Sequence, residues 1–192
     1  MFNSLSTTVK VKSLSFAAVR ESTGLTWDEI HFDHPVIPEN PGVYVWVAPE
    51  PPHGLWYHGS GSGKNGLRGR LANEVRWRRN HQHRMGVDLE TLDEEQAFDL
   101  AREVPAIQQS VFNRLFVAVA EPASWAVERN EIHPPETAIQ WEQFISAVSL
   151  LVTGHRGVVG GGAWETKSGT IGHLMTDLAW DRLNDIQNGS WL

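Results

Sequence analysis

The chain has 192 residues, 41% of them hydrophobic and 20% charged, with a net charge of −7. That is enough for one domain with a sizeable core. No apolar run reaches the roughly 18 residues of a transmembrane helix, and the start, Met1 to Ser6, lacks the basic-then-apolar layout of a signal peptide. There is no cysteine, which excludes disulfides, zinc–thiolate sites and thiol chemistry and makes the cytoplasm the expected compartment.

Residues 1–40 read as an N-terminal extension. Val9 to Lys12 alternate as a short edge strand would. Thr26-Trp27-Asp28-Glu29 reads as a capping box opening a short helix, and the three prolines between His34 and Pro41 suggest a linker. Val43 to Val47 is β-branched and aromatic and predicts a strand; Leu55 to His58 predicts a second, antiparallel to it. Residues 65–84 read as a helix, with Leu67, Leu71 and Val75 forming a buried stripe. Residues 91–104 predict another helix, and Leu115 to Ala120 a central strand. A helix opened by Pro134-Pro135 and running to about Val152 follows. After a glycine-rich connector, an amphipathic helix runs from about Ile171 and stops near Gly189. The expected fold is α+β: a core over residues 41–152 with a three-stranded antiparallel sheet flanked by helices, and a C-terminal extension over 153–192.

The charge is uneven. Between Lys64 and Arg84 there are seven basic residues and one acid, a segment of +6 on a remainder of −13. One basic face on an acidic body suits contact with phosphate at a single place; the plainer alternative is a solvated arginine-rich helix face. Arg68, Arg76, Arg78 and Arg79 are the candidate nucleic-acid contacts, with Trp77 and other exposed tryptophans available to stack on bases.

The only two tyrosines, Tyr44 and Tyr57, fall on the two strands of the predicted hairpin. A phenol has an ordinary pKa of about 10, and a neighbouring cation favours its deprotonated, proton-accepting form. An isolated strand tyrosine more often packs its ring and bonds its hydroxyl to backbone. Arg70 suits a fixed phosphate clamp; its alternative is an i,i+4 ion pair with Glu74. Arg68 lies about 160° round the helix from Arg70, so both cannot enter one site. Glu142 sits at the shoulder of an apolar stripe of Trp141, Phe144, Ile145, Val148 and Val152, where a carboxylate can face a cleft; otherwise it is a partly exposed helix carboxylate. Its oxygen chemistry suits Mg²⁺, whereas Glu136 falls on the polar side. The loop Gly59 to Asn65 fails the phosphate-loop pattern at His58 and Asn65, though a helix N-terminus can still bind phosphate oxygens through backbone N–H groups. Lys64 could grip the backbone of a nucleic acid or act on a tyrosine.

In order, Gly42-Val43-Tyr44, Tyr57-His58-Gly59, Leu67-Arg68-Gly69-Arg70-Leu71 and Ala138-Ile139-Gln140-Trp141-Glu142 resemble the GIY-YIG nuclease family, over about residues 40–152. The resemblance implies a metal-dependent DNA endonuclease that leaves a 5′-phosphate and a 3′-hydroxyl. It implies Tyr44 as proton acceptor, with Tyr57 or Lys64 assisting, Arg70 stabilising developing charge, and Glu142 holding Mg²⁺ (or Mn²⁺). The chain departs from the family pattern at three places. His58 stands where an aliphatic residue is usual and is expected to be half-exposed and outside the chemistry. Glu74 stands where many members have a histidine, with His81 and His83 as nearby substitutes. No asparagine follows the glutamate helix until Asn184. A core filling most of a short chain suggests a restriction-like, mobile-element or phage enzyme, and double-strand cutting with one site per chain favours a homodimer. The rival is a catalytically silent nucleic-acid-binding module built on the Lys64–Arg84 basic helix.

Overall fold

The computed structural model describes residues 16–31, 36–47, 56–73, 114–125, 133–153 and 169–189. In chain order the elements are α1 (Phe16–Thr23), β1 (Asp28–Ile30), β2 (Gly42–Val47), β3 (Trp56–Gly61), α2 (66–73), β4 (Arg114–Val119), α3 (Ala138–Thr153) and α4 (Gly169–Gly189). The fold is α+β. Among the described residues an antiparallel sheet has the order β1-β4-β2-β3.

The sheet has four strands rather than the expected three, because the N-terminal segment supplies β1. Thr26 to Glu29 does not open a helix: Asp28, Glu29 and Ile30 pair with Val117, Phe116 and Leu115. Local capping potential loses here to the unpaired edge of β4, whose backbone groups need partners. A two-pronged ion pair adds to the pairing. Arg114 donates from Nε to Glu29 Oε1 at 2.8 Å and from Nη2 to Oε2 at 2.9 Å, which holds the Glu29 carboxyl below its ordinary pKa. The predicted strand at Val9 to Lys12 and the predicted helix over 91–104 lie outside the described residues.

Strand alternation divides the core into two. Val43, Val45, Phe116 and Ala118 pack with Trp141, Phe144, Ile145 and Val148 of α3, Val19 of α1, and Met175, Leu178 and Ala179 of α4. Tyr44, Trp46, Leu115 and Val117 pack on the other face with Leu67, Leu71 and Ala72 of α2, together with Ile30 and Ile37. This explains why Val43 to Trp46 read as one apolar run: both faces of β2 are covered. The α3-side core also holds an aromatic cluster. Trp125 lies 5.3 Å from Phe144, and Phe144 meets Trp141 edge-on at 5.7 Å between ring centroids. α1, β1 and α4, read from the sequence as belonging to extensions, thus pack into the same sheet and core.

α3 begins later than Pro134-Pro135 suggested. The start is a reciprocal capping box on Thr137 and Gln140. The Gln140 amide donates to Thr137 Oγ1 at 3.3 Å, and the Thr137 amide donates to Gln140 Oε1 at 3.1 Å. Pro135 instead is buried just ahead of the helix, and its carbonyl accepts from the Ala123 amide at 2.9 Å.

Candidate active site

β2 and β3 carry the first half of the site. The register places Tyr44 opposite Gly59 and Trp46 opposite Tyr57. The two tyrosines are therefore diagonal neighbours on the hairpin, two rungs apart. Tyr57 is placed through its backbone; its side chain lies outside the described residues.

Tyr44 is completely buried. Its ring packs in the α2-side core, and its hydroxyl reaches across β3 at Gly59. A Cβ on Gly59 would collide with the Tyr44 hydroxyl and the adjacent ring carbon. Glycine at this position lets the phenol cross the strand. Arg70, half-buried on α2, donates from Nε to the Tyr44 hydroxyl at 3.1 Å. Its guanidinium carbon lies 5.9 Å from the centroid of the Tyr44 ring. Leu67 and Leu71, both fully buried, anchor α2 so that Arg70 projects beside this ring.

Glu142 belongs to the opposite face of the sheet. Ser60, the residue after Gly59, pairs with Val43, which faces α3. The Ser60 hydroxyl donates to Glu142 Oε2. One step along the same strand face, His58 pairs with Val45, and its Nε2 lies 2.7 Å from Ser146 Oγ. His58 is half-buried, as is Ser146. His58 Nδ1 is buried and has no hydrogen-bond partner among the described residues. Burial disfavours the imidazolium and pushes the His58 pKa down to about 4.

Gly59 and Ser60 thus join two groups that the sheet otherwise separates. Tyr44 and Arg70 meet at Gly59 on one face, and Glu142 is held at Ser60 on the other. Both lie on β3, the edge strand of the described sheet.

The turn from β3 into α2 corrects one expectation. The first-turn amides of α2 are already occupied. The Leu67 amide donates to Asn40 O and the Arg68 amide to Pro38 O, both at 3.0 Å, while Gly66 and Gly69 donate to Gly63 O and Asn65 O. The proline-rich segment therefore caps the helix, and these backbone N–H groups are not an anion cradle. Gly66 makes the close approach feasible. Its φ is +48°, and a side chain there would overlap the carbonyl oxygens of Glu39 and Asn40. The proline pattern could have suggested a rigid segment, but nothing local marks it as a helix cap.

Lys64 is exposed in that turn, and Arg68 is half-buried one position past Leu67. Between the two candidate arginines, Arg70 is the one that touches the Tyr44 hydroxyl. Arg76, Arg78, Arg79, Trp77, Glu74, His81 and His83 lie outside the described residues. Sequence reasoning missed Ser60 and Ser146. The visible signal for Ser60 was its place two residues beyond His58 on a strand facing a helix.

The donor chemistry fits a hard cation. Mg²⁺ takes oxygen ligands, keeps several waters and needs only one or two protein carboxylates. Glu142 offers a half-buried carboxylate beside a serine hydroxyl. Among the described residues no group of three or more His, Asp or Glu gathers into an all-protein cage. No described helix is long and apolar enough to cross a membrane. Compared with known proteins, the chain matches no family model, no curated protein and no solved structure.

Proposed function

We propose that the chain is a metal-dependent DNA endonuclease of GIY-YIG type. One observation carries this reading: the consecutive residues Gly59 and Ser60 hold the Tyr44–Arg70 pair and the Glu142 carboxylate on either side of one edge strand. A phosphate lying over that edge would meet a guanidinium and a phenol from one side and a carboxylate from the other.

Glu142 would hold Mg²⁺ or Mn²⁺, which when bound supplies Lewis-acid polarisation of the scissile phosphate. The protein's own groups do the rest. Arg70 keeps its charge at any working pH and stabilises the negative charge that builds on the phosphate oxygens. Tyr44 takes the proton of the attacking water as a phenolate, a form that a nearby cation favours. The water oxygen bonds to phosphorus, the bond to the 3′ oxygen breaks, and solvent returns a proton to that oxygen. Because Tyr44 is enclosed, this role requires Arg70 to leave the phenol for the phosphate and open its hydroxyl. Lys64, exposed at the turn, would contact the DNA backbone. Arg68, Arg76, Arg78 and Arg79 extend that contact along the basic segment. A homodimer would supply two such sites for cutting both strands, in the setting of a restriction-like, phage or mobile-element enzyme acting in the cytoplasm.

The complete burial of Tyr44 favours a second reading, a nucleic-acid-binding module in which Tyr44 serves only to anchor Arg70. Supercoiled plasmid incubated with Mg²⁺ separates the two. The nuclease reading expects nicked and linear product from the wild type, and a loss of at least about 100-fold in Glu142→Ala and Tyr44→Phe. Retarded plasmid with no nicking, in Mg²⁺ and in Mn²⁺, would establish the binding module instead.

A further inference from the structure

We propose that Ser60 is a positioning residue that orients the Glu142 carboxylate for a divalent cation. The inference rests on the reading of Glu142 as the cation ligand. It adds a residue that the tyrosine, arginine and glutamate motifs do not include.

A glutamate on a helix surface has several rotatable bonds and samples many orientations. Here a hydroxyl fixes it. Ser60 donates to Oε2 of Glu142, and an O–H bond to an ionised carboxylate is among the stronger neutral-to-charged contacts. An ionised carboxylate accepts on both oxygens at about four lone-pair sites, so a serine bond is compatible with a cation at another. Groups that hydrogen-bond a ligating carboxylate set its direction and affinity.

The neighbouring pair makes this a built arrangement rather than a chance rotamer. Glu142 and Ser146 stand one turn apart on α3, about 6 Å along the helix axis. Ser60 and His58 stand two residues apart on β3, about 6.6 Å along the strand. The two spacings match, so the helix and strand engage through two rungs: Ser60 with Glu142, and His58 with Ser146. Two rungs fix both the height and the rotation of α3 against β3, which one contact could not do. The Val43 and Val45 positions opposite these residues pack into the same core as Phe144 and Ile145, so the rungs lie along a seam that the apolar core already closes.

The test uses Mn²⁺ alone as the probe, on the full chain without DNA, with the free aquo ion followed by electron paramagnetic resonance. The proteins are the wild type, Glu142→Gln, and the near-isosteric pair Ser60→Thr and Ser60→Val. Threonine and valine have similar shapes on a strand and differ by the hydroxyl, so circular dichroism and melting of the pair control for folding. Ser60→Val is expected to weaken Mn²⁺ binding by about 10- to 100-fold. Ser60→Thr should stay close to the wild type, and Glu142→Gln should lose the site. Ser60→Val binding like the wild type while Glu142→Gln loses binding would overturn the role of Ser60 and leave Glu142 as ligand. Wild-type binding preserved in Glu142→Gln, or absent from the wild type, would overturn the ligand reading and this inference with it.

Discussion

His58 shows what burying a titratable ring does at the scale of one residue. His58 is half-buried with its imidazole turned toward Ser146 of α3, and its pKa falls from 6.5 to about 4 because burial penalises the charged form. The unfolded chain therefore binds a proton near pH 6.5 that the folded chain refuses until about pH 4. Stability from this group is complete above pH 6.5 and is lost as the pH falls through that window. At about 1.36 kcal/mol per pKa unit, the loss is on the order of 3 kcal/mol. Denaturant midpoints measured from pH 7 down to pH 4 should drop in the wild type. His58→Gln should flatten the profile, since glutamine keeps a hydrogen-bonding group without a titration in this range. An unchanged slope would mean that other groups set the acid sensitivity. The contact of His58 with α3 is a structural role that residue type alone did not announce. His58 faces Ser146 across the helix–strand seam.

α2 is the element on which most of the candidate site depends. Its start is held by the carbonyls of Pro38 and Asn40, and Asn40 lies two residues before β2. The same short stretch thus sets the height of Arg70 on one side and of Tyr44 on the other. Gly66 is the point of closest approach. Gly66→Ala would force a side chain into a positive-φ position and against two carbonyl oxygens. The expected cost is at least about 1–3 kcal/mol from strain and overpacking, with loss of the Arg70–Tyr44 contact. A melting curve measures the cost. Ser62→Ala, at an exposed position before the turn, serves as a control that should change little. Nothing in the spacing of residues 34–41 revealed this role. Prolines mark where a chain cannot pair or coil, but not which amides its carbonyls will reach. The elements themselves were more legible. β2, β3 and β4 follow from β-branched and aromatic runs with turn residues around them, and α3 and α4 from helical periodicity. β1 was misread because Thr26-Trp27-Asp28-Glu29 has good local capping chemistry, whereas its strand identity comes from Phe116 and Leu115, almost ninety residues away.

Across the whole molecule, charge is the feature with the longest reach. The net charge of −7 would repel DNA if it were spread evenly, but on the proposed nuclease reading the +6 segment between Lys64 and Arg84 would concentrate the attraction. Binding to a nonspecific duplex should weaken steeply with salt. Replacing Arg76, Arg78 and Arg79 together by glutamine should reduce the slope of log affinity against log salt by roughly 2 to 3, at about 0.9 per phosphate neutralised. Fluorescence anisotropy over a salt series measures this, and an unchanged slope would remove these arginines from the interface. The candidate site itself was legible as a set of residues, not as an arrangement. Tyr44, Arg70 and Glu142 were singled out by residue type and order. Their division between two faces of the sheet depends on register, which a hairpin with an eight-residue gap between its strands does not fix in advance.

The strand order has a further consequence, for the interval before the fold is complete. β2 has two neighbours of very different sequence distance: Gly42 pairs with Gly61 nearby and with Val119 far along the chain. Closing the shorter loop is easier, so the hairpin and α2 can assemble while β4 is still absent. During that interval Gly42-Val43-Tyr44-Val45-Trp46-Val47, six residues without a charge, presents one open row of backbone donors and acceptors. Such a row is a template for another copy of itself. The segment that carries Tyr44 is therefore also a point of exposure to aggregation, which the arrival of β4 removes.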